Sequence, residues 1–516
     1  MKLFYLARLP KLFYLALLPV YLALQLYQCG PPSKIHEHEV SLRVHNTNGD
    51  AFLHLEDDVL ASELSQAIQL KTVSSAEHSS HLSDESAEAF RKTHKLLREL
   101  YPRVHAEMSV RAFEEYSLLY ELPGSNESLR PLLVMCHLDV VPVDPATAHD
   151  WEYPPFSGTI AEGYVWGRGA LDMKHTCISL FHALEKLLSL RSGFTPQRTL
   201  LFQIGHDEEV GGHGAQAIVA YLRSRQVQLE MVVDEGLAVV EPGMIPVVSE
   251  AVALIGLAEK RVFSVTLSST EGGGGHASTP ELGGTPISNV AGAVAELSRK
   301  QLPPQTIPLL GEFIDAMVDQ LVTSTWLKLA LSRWRFIQRL IPHLFVMDPK
   351  LAALVRTTTA ATMISGGVKE NVIPHTATAT MHHRVLPGVT RQTLLEHYNR
   401  TLAGMPVQFE ETASFDASDD WGGHVSSTDT FGYRALQAVI KEVFGADMPV
   451  VPFLVLGATD SRHYTKLAPK RVFRFNPVRL SKSIAGSIHN INERIPVASL
   501  SEGCRFWFHF VRLVCE

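Results

Sequence analysis

The chain of 516 residues is long enough for two or three domains with a substantial buried core. Hydrophobic residues make up 46% of it and charged residues 19%, a globular balance that excludes a disordered or fibrous chain. The formal charge of -8 leaves no basic footprint for nucleic acid, and that class of partner is set aside.

Lys2, Arg8 and Lys11 precede an uncharged stretch, 12–27, which runs into Cys29-Gly30-Pro31-Pro32. The stretch falls short of the roughly 20 residues of a membrane span, so 1–30 reads as a signal peptide or signal anchor. The near-duplication of KLFYLARLP as KLFYLALLP lengthens this targeting segment and is not a structural repeat. The remainder is expected to be secreted, or lumenal behind a single N-terminal membrane anchor. The sequons Asn126-Glu127-Ser128 and Asn399-Arg400-Thr401 fit that compartment. The five cysteines form no zinc-ribbon or disulfide-framework spacing. Cys136 and Cys177 are expected to be small buried thiols, whereas Cys504 and Cys515 are candidates for a pair.

From about residue 57 to 237, helical and strand patterns alternate. Phe90, Leu97 and Tyr101 share one helical face that ends before Pro102. The apolar runs 132–136, 199–204 and 231–233 each lead into a polar loop, and Cys177, Phe181, Leu184 and Leu188 form a helical face between the first two. Such runs predict an α/β fold with a mainly parallel sheet covered on both faces, and sites in the loops beyond its strand ends. The character changes near Ala258. An alternating strand at 261–268, a glycine-rich loop at 272–275, a helix at 287–299 and a strand at 376–383 predict an inserted α+β domain. The chain then returns to the first domain, with a strand at 451–456 and a last helix at 500–513. The expected organisation is therefore 55–257 and 415–516 as two parts of one domain around an insertion, 258–414. Within that insertion, 307–355 reads as a helical excursion. Lys328, Arg333, Arg335 and Arg339, with Trp326, Leu327, Leu331, Trp334, Phe336 and Ile337, give it a basic amphipathic stretch. Such a stretch suits a lipid surface, an apolar channel, or packing on its own domain.

The chemistry-bearing residues follow the apolar runs. In His137-Leu138-Asp139 both ends of the triplet project to one side of a strand, so the histidine can bind a cation while the aspartate orients its ring. Asp172 stands where a glycine-rich loop meets a helix and can either bridge two cations or cap the helix. Glu208 and Glu209 point apart, so one can ligate while the other acts as general base; otherwise they form an acidic surface loop. Asp234 closes the run 231–233, and His489 lies far along the chain before the final helix. Together His137, Asp172, Glu209, Asp234 and His489 supply two imidazoles and three carboxylates, with Glu208 left as base. That donor set suits zinc and also accommodates manganese or cobalt. A shared carboxylate can hold two ions about 3.5–4 Å apart.

The segments CHLDVVPV, WGRGALDMKH, GHDEEVGGHGA, VDEG, GGGGHASTP, GGVKENVIP and SIHNINE resemble those of the M20 family of metallopeptidases, from about residue 55 to the end. DWEYPPFSG, RTTTA, GATDSRHYT and the helical excursion make the chain most similar to the N-fatty-acyl-amino acid synthase/hydrolase branch, with the carboxypeptidase S group next. The resemblance implies a di-zinc catalytic domain with an inserted lid/dimerisation domain, and two zinc ions per subunit. One ion would be held by His137 and Asp234, the other by Glu209 and His489, with Asp172 shared. Asp139 would orient His137, Glu208 would be the general base, and His276 would stabilise the oxyanion, in family dimers often from the partner subunit. Asn371 and Arg384 match positions that contact the substrate's oxyanion or carboxylate. Met173, Ala458 and the added Glu281-Leu282 depart from close relatives and bear on substrate preference rather than on the reaction. The expected activity is hydrolysis, or reversible formation, of the amide bond of N-acyl amino acids. A carboxypeptidase on short peptides is the alternative; both take a substrate with a free carboxylate. A non-catalytic binding protein would lack a ligand or the base, and neither is missing.

Overall fold

The computed structural model describes residues 57–516 except 191–195, 246–247, 249, 322–340 and 413–424. The expected targeting segment 1–30 and the basic amphipathic stretch of the helical excursion lie outside the described residues. Helices α1 (Asp57–Ile68), α2 (Asp84–Leu100) and α3 (Pro102–Glu107) come first, followed by strands β1 (Ser109–Phe113), β2 (Ser117–Leu122) and β3 (Leu132–His137). Then follow β4 (Ile160–Ala161), β5 (Tyr164–Trp166), α4 (Lys174–Leu190), β6 (Leu200–Gly205), α5 (His213–Ser224), β7 (Met231–Asp234), β8 (Val239–Val240) and β9 (Val252–Glu259). The middle of the chain holds β10 (Arg261–Ser269), β11 (Gly275–His276), α6 (Pro286–Arg299), α7 (Pro308–Leu321), α8 (Ile341–Phe345) and α9 (Pro349–Val355). It continues with β12 (Thr358–Gly366), β13 (Val372–Ile373), β14 (Ala377–Val385), α10 (Arg391–Thr401) and β15 (Val407–Thr412). Last come α11 (Phe431–Phe444), β16 (Val450–Val455), β17 (Val472–Arg474), β18 (Arg479–Leu480), α12 (Lys482–Ala485), β19 (Arg494–Pro496) and α13 (Val497–Cys515).

The larger sheet runs β1-β2-β6-β3-β7-β17-β9-β8-β18, with β16 paired to β9. Its centre, β6-β3-β7-β17, is parallel, while β1 and β2 add antiparallel strands at one edge, so the sheet is mixed around a parallel core. Every residue of β3, β6 and β7 is buried, as the apolar runs require of strands covered on both faces. Alternation along β3 divides the covering: Leu132 and Val134 belong to the core beneath α1, α4 and α13, whereas Leu133 and Met135 pack with Ile218 and Leu222 of α5. A separate four-stranded antiparallel sheet, β12-β14-β10-β15, comes entirely from the middle of the chain and is backed by α6. Every second residue of β14 is buried, in keeping with a sheet that has one covered face. The excursion opens with α7, which packs on β16 of the larger sheet.

Two cysteine expectations are corrected. Cys136 and Cys177 are not free thiols but a disulfide that joins β3 to α4, their Cα atoms 5.7 Å apart. Cys504 and Cys515 are free, each buried on α13. They stand three helical turns apart, roughly 16 Å along the axis and far beyond disulfide reach. The Cys136–Cys177 link closes a loop containing Asp139 and Asp172. Cross-linking a loop of that length stabilises the fold by about 4 kcal/mol in the chain-entropy account. Cys136→Ser/Cys177→Ser is therefore expected to lose about 2–4 kcal/mol of unfolding free energy in urea titration. A non-reduced peptide map of the wild type should hold the two cysteine peptides linked; separate peptides would show that the bond is absent.

Candidate metal centre and active site

The site assembles at the carboxyl ends of β3, β6 and β7. His137 ends β3, and its Nδ1 lies 3.0 Å from the Asp139 carbonyl oxygen and 3.3 Å from Asp139 Oδ1. The ring's other nitrogen, Nε2, therefore faces outward, 3.2 Å from Asp172 Oδ1 and 3.3 Å from Glu235 Oε1. Asp139, fully buried, also accepts the backbone N–H groups of Glu208 and Glu209 and the Ser74 hydroxyl. One carboxylate thus orients the histidine and fixes the loop after β6 at the same time. Across the site, His489 Nε2 stands 3.0 Å from Asp172 Oδ2 and 3.0 Å from Glu209 Oε1. The two oxygens of Asp172 each face a different imidazole, as a shared carboxylate requires.

Asp234 is placed differently from the sequence expectation. Its Oδ2 accepts the Ser461 N–H at 2.9 Å and its Oδ1 the N–H of Glu235, so it buttresses the segment after β16. The carboxylate that reaches His137 belongs to Glu235, which also lies with Glu208 within ligand distance of that ring. Asp234 is the last residue of β7 and keeps to the strand. Glu235 lies beyond the ladder, next to Gly236 at φ 129°, where the chain turns across the sheet.

A hub unnoticed in the sequence binds the site's two halves. Glu493 Oε1 accepts the backbone N–H groups of Gly169, Leu171 and Asp172 at 3.0–3.1 Å, and Oε2 accepts Arg168 Nη1 at 2.6 Å. Glu493 is fully buried and lies four residues after His489. It therefore ties the loop carrying Asp172 to the loop carrying His489. Lys174 secures the same loop from behind, donating to the carbonyls of Ala67 and Leu70 at the end of α1. Burial pushes that ammonium down to about 7.

Electrostatics follow from crowding. Burial alone would lower His137, but Glu235, Asp139 and Asp172 outweigh it and raise the ring well above its ordinary value. Hydrogen bonds donated to the Asp172 and Glu209 carboxylates push His489 up to about 10. Burial would raise Asp172; the two imidazoles overcome it and hold the carboxyl far below the usual range. Glu235 is pushed up to about 8 by burial and by Asp172, and Glu208 is raised well above its ordinary value, chiefly by burial. Four carboxylates around two imidazoles are a donor set for divalent cations. The donor atoms of His137, Glu208 and Glu235 lie within 4.8 Å of one another, as do those of His137, Asp172 and Glu209, and His489 stands against Asp172 and Glu209 from the other side.

A cavity of about 720 Å³ opens on these residues. Arg384 of β14 lines it, as expected, together with Arg462, which the sequence reading missed. Burial and the neighbouring Arg462 both lower the Arg384 guanidinium, opposed by Glu259 and Glu208. Arg462 is held by the carbonyls of Thr459 and Gly211. His276 and Asn371 are not among the lining residues. His276 is paired with Val372 in the ribbon β11–β13, the Asn371 carbonyl just before β13 accepts the Ala277 N–H, and the His276 ring meets the Ser278 hydroxyl.

Paired imidazoles around one shared carboxylate, at the ends of parallel strands and beside an arginine-lined cavity, are the arrangement of a metal-dependent hydrolase. The profile of peptidase family M20/M25/M40 matches residues 133–513, and the chain belongs to that family. It is 34% identical to a probable carboxypeptidase S-like 2 of Dictyostelium discoideum, over 90% of this chain and 86% of that one. It is 35% identical to an N-fatty-acyl-amino acid synthase/hydrolase of Xenopus tropicalis, over 88% of this chain and 85% of that protein. The fold is similar to an M20 family metallo-carboxypeptidase from Sulfolobus solfataricus, with a TM-score of 0.63 at 17% identity over 88% of this chain and 99% of the other. It is similar also to human carnosine dipeptidase 1, with a TM-score of 0.62 at 16% identity over 90% and 98%.

Equilibrium dialysis against zinc distinguishes the donors. Glu235→Gln is expected to weaken zinc binding at least about tenfold, and Asp234→Asn by no more than a few fold. Glu493→Gln, which ligates nothing but frees the Asp172 loop, should cost about 10–100-fold, as loss of an outer partner of a metal site does. Unchanged zinc affinity in Glu235→Gln alongside a large loss in Asp234→Asn would reverse the assignment.

Proposed function

We propose that the protein is a two-zinc amidohydrolase of N-acyl amino acids, with long-chain N-fatty-acyl amino acids as its preferred substrates. The observation that carries this reading is the cavity itself, which joins three arginines (Arg261, Arg384 and Arg462), the carboxylate cluster and a long apolar wall. His137, Glu235 and Asp172 would hold one ion, and Asp172, Glu209 and His489 the other. When bound, the ions supply Lewis acidity and a water of lowered pKa. Arg384 and Arg462 pair with the substrate carboxylate and thereby set the amide against the cluster. Glu208 takes the proton of the attacking water and returns it to the leaving nitrogen.

His276 is proposed to reach the oxyanion from a second copy of the chain. In support, its ribbon stands outside its own cavity, and β12 is a sheet edge carrying Met363 and Ile364 about two-thirds exposed. A secreted or lumenal setting is supported by the Cys136–Cys177 disulfide and the exposed Asn126 sequon. Among the described residues no helix is long and apolar enough to cross a membrane. The middle segment, 258–414, is proposed as the lid. The carboxypeptidase reading is kept alive by the Dictyostelium relative.

Two measurements decide. Glu208→Gln should retain zinc while turnover falls by about 10²–10⁴, the usual contribution of a general base; a variant nearly as active as wild type would place the base elsewhere. A screen of N-acyl-phenylalanines against dipeptides should show kcat/KM rising with acyl length. Equal cleavage of acetyl and long-chain derivatives, with dipeptides preferred, would promote the carboxypeptidase reading.

A further inference from the structure

The cavity has two chemically distinct arms. Arg462 belongs to the turn beyond β16, close to Gly211 after β6, and Arg384 comes from β14. The other arm begins two residues after Glu235, at Leu237 and Ala238, where the chain crosses the sheet: the Leu237 carbonyl accepts from Asn476 and that of Ala238 from Leu254. It continues over Phe453 of β16 to Val478 and Leu480, the latter on β18 at the end of the sheet order. At about 4.8 Å per strand, the four steps from β7 to β18 span roughly 19 Å. That is far more than one amino-acid side chain needs, and the charged side chains of the lining, Asp172, Glu208, Glu209, Glu235, Arg261, Arg384 and Arg462, all lie off β8, β16 and β18. Leu456 and Ile488, at the mouth beside the carboxylates, remain more than a third exposed.

Phe453 is the key wall residue. It is half-buried, and its ring packs edge to face on Phe313 of α7, the centroids 5.0 Å apart. Behind it lies an apolar cluster containing Val240, Val252, Leu254, Met317 and Val451. Among the described residues, α7 therefore does not line the apolar arm; it backs the ring that does.

We propose that Leu237, Ala238, Phe453, Val478 and Leu480 form a subsite for the acyl chain of the substrate, and that Phe453, seated on Phe313, sets how long a chain it takes. The occupant follows from complementarity. A carboxylate at the arginine end and an apolar tail along β8, β16 and β18 bracket a bond held at the carboxylate cluster, which describes an N-acyl amino acid with a long acyl group. This inference rests on the amidohydrolase reading and refines it.

The test is the ratio of kcat/KM for N-palmitoyl- to N-acetyl-phenylalanine, with the octanoyl compound between them, in the zinc-loaded full chain. Each buried methylene is worth about fourfold, so Leu480→Trp, which displaces two or more, should lower the ratio at least about tenfold. Phe453→Ala should move the optimum toward longer chains, and Phe313→Ala, which removes only the support behind the ring, should move it in the same direction. Because each ratio is internal to one preparation, partial misfolding of a variant does not disturb it. A wild-type ratio well above one that none of the three variants alters twofold would overturn the subsite while leaving the amidohydrolase reading intact. A wild-type ratio near or below one would overturn the subsite and the long-chain preference, and failure to cleave any of the three compounds would overturn the amidohydrolase reading.

Discussion

The carboxylate of Glu493 is wholly buried, and burying a charge is tolerable only when its lone pairs are met by donors fixed in place. Here Arg168 satisfies one oxygen, and the backbone amides of Gly169, Leu171 and Asp172 converge on the other. The amides of that loop point inward because Glu493 is there; without it, they would be unsatisfied donors in a dry interior. As a result the Asp172 carboxylate is turned away from its own backbone and toward the two imidazoles. β19 carries the same constraint outward, pairing Arg494 with Trp166 just ahead of the glycine-rich loop. Everything chemical depends on this joint, because the loops of Asp172 and His489 are separated by most of the chain and no other buried ion pair spans them among the described residues.

Much of this was legible in the sequence, and for identifiable reasons. Runs such as 132–136 and 231–233 are apolar at every position, which only a strand covered on both faces tolerates, and each ends at a histidine or carboxylate. The change to strict alternation at 261–268 marked the second sheet, which has one covered face. What could not be read depended on turns and on distance. Asp234 and Glu235 are adjacent carboxylates, and which of them stands beside His137 Nε2 follows from where β7 stops and how Gly236 turns, which side-chain pattern does not encode. Cys136 and Cys177 were judged singly as buried residues, since only the packing of β3 on α4 brings them within bonding reach. Arg462 in GATDSRHYT and Glu493 in SIHNINE stand in polar segments, where nothing in the residue pattern separates a charge turned into the interior from one left in water.

The pKa pattern gives the same physical answer from another direction. Glu235, pushed up to about 8, and His489, pushed up to about 10, share one cause: buried carboxylates crowded around Asp172, where each negative charge makes the next proton harder to remove. Protons are poor substitutes, since each serves one or two oxygens, whereas a divalent cation serves several at once and at fixed angles. Binding cations must therefore displace protons from groups that hold them firmly, and the protein recovers that cost only if the donors already stand in place. This is the reason for the outer framework. Asp139 fixes the ring of His137 and the amides of Glu208 and Glu209, Asp234 buttresses the turn before Arg462, and Glu493 fixes Asp172. None of the three faces the centre of the cluster, yet each removes a freedom that would otherwise be lost on cation binding. The cavity inherits the result: its arginine end and its apolar arm are each attached to segments, 457–462 and 235–240, that leave directly from these fixed points. Substrate selection and cation binding are thus mechanically one structure, and a change in either wall is felt at the distance of two or three residues from the chemistry.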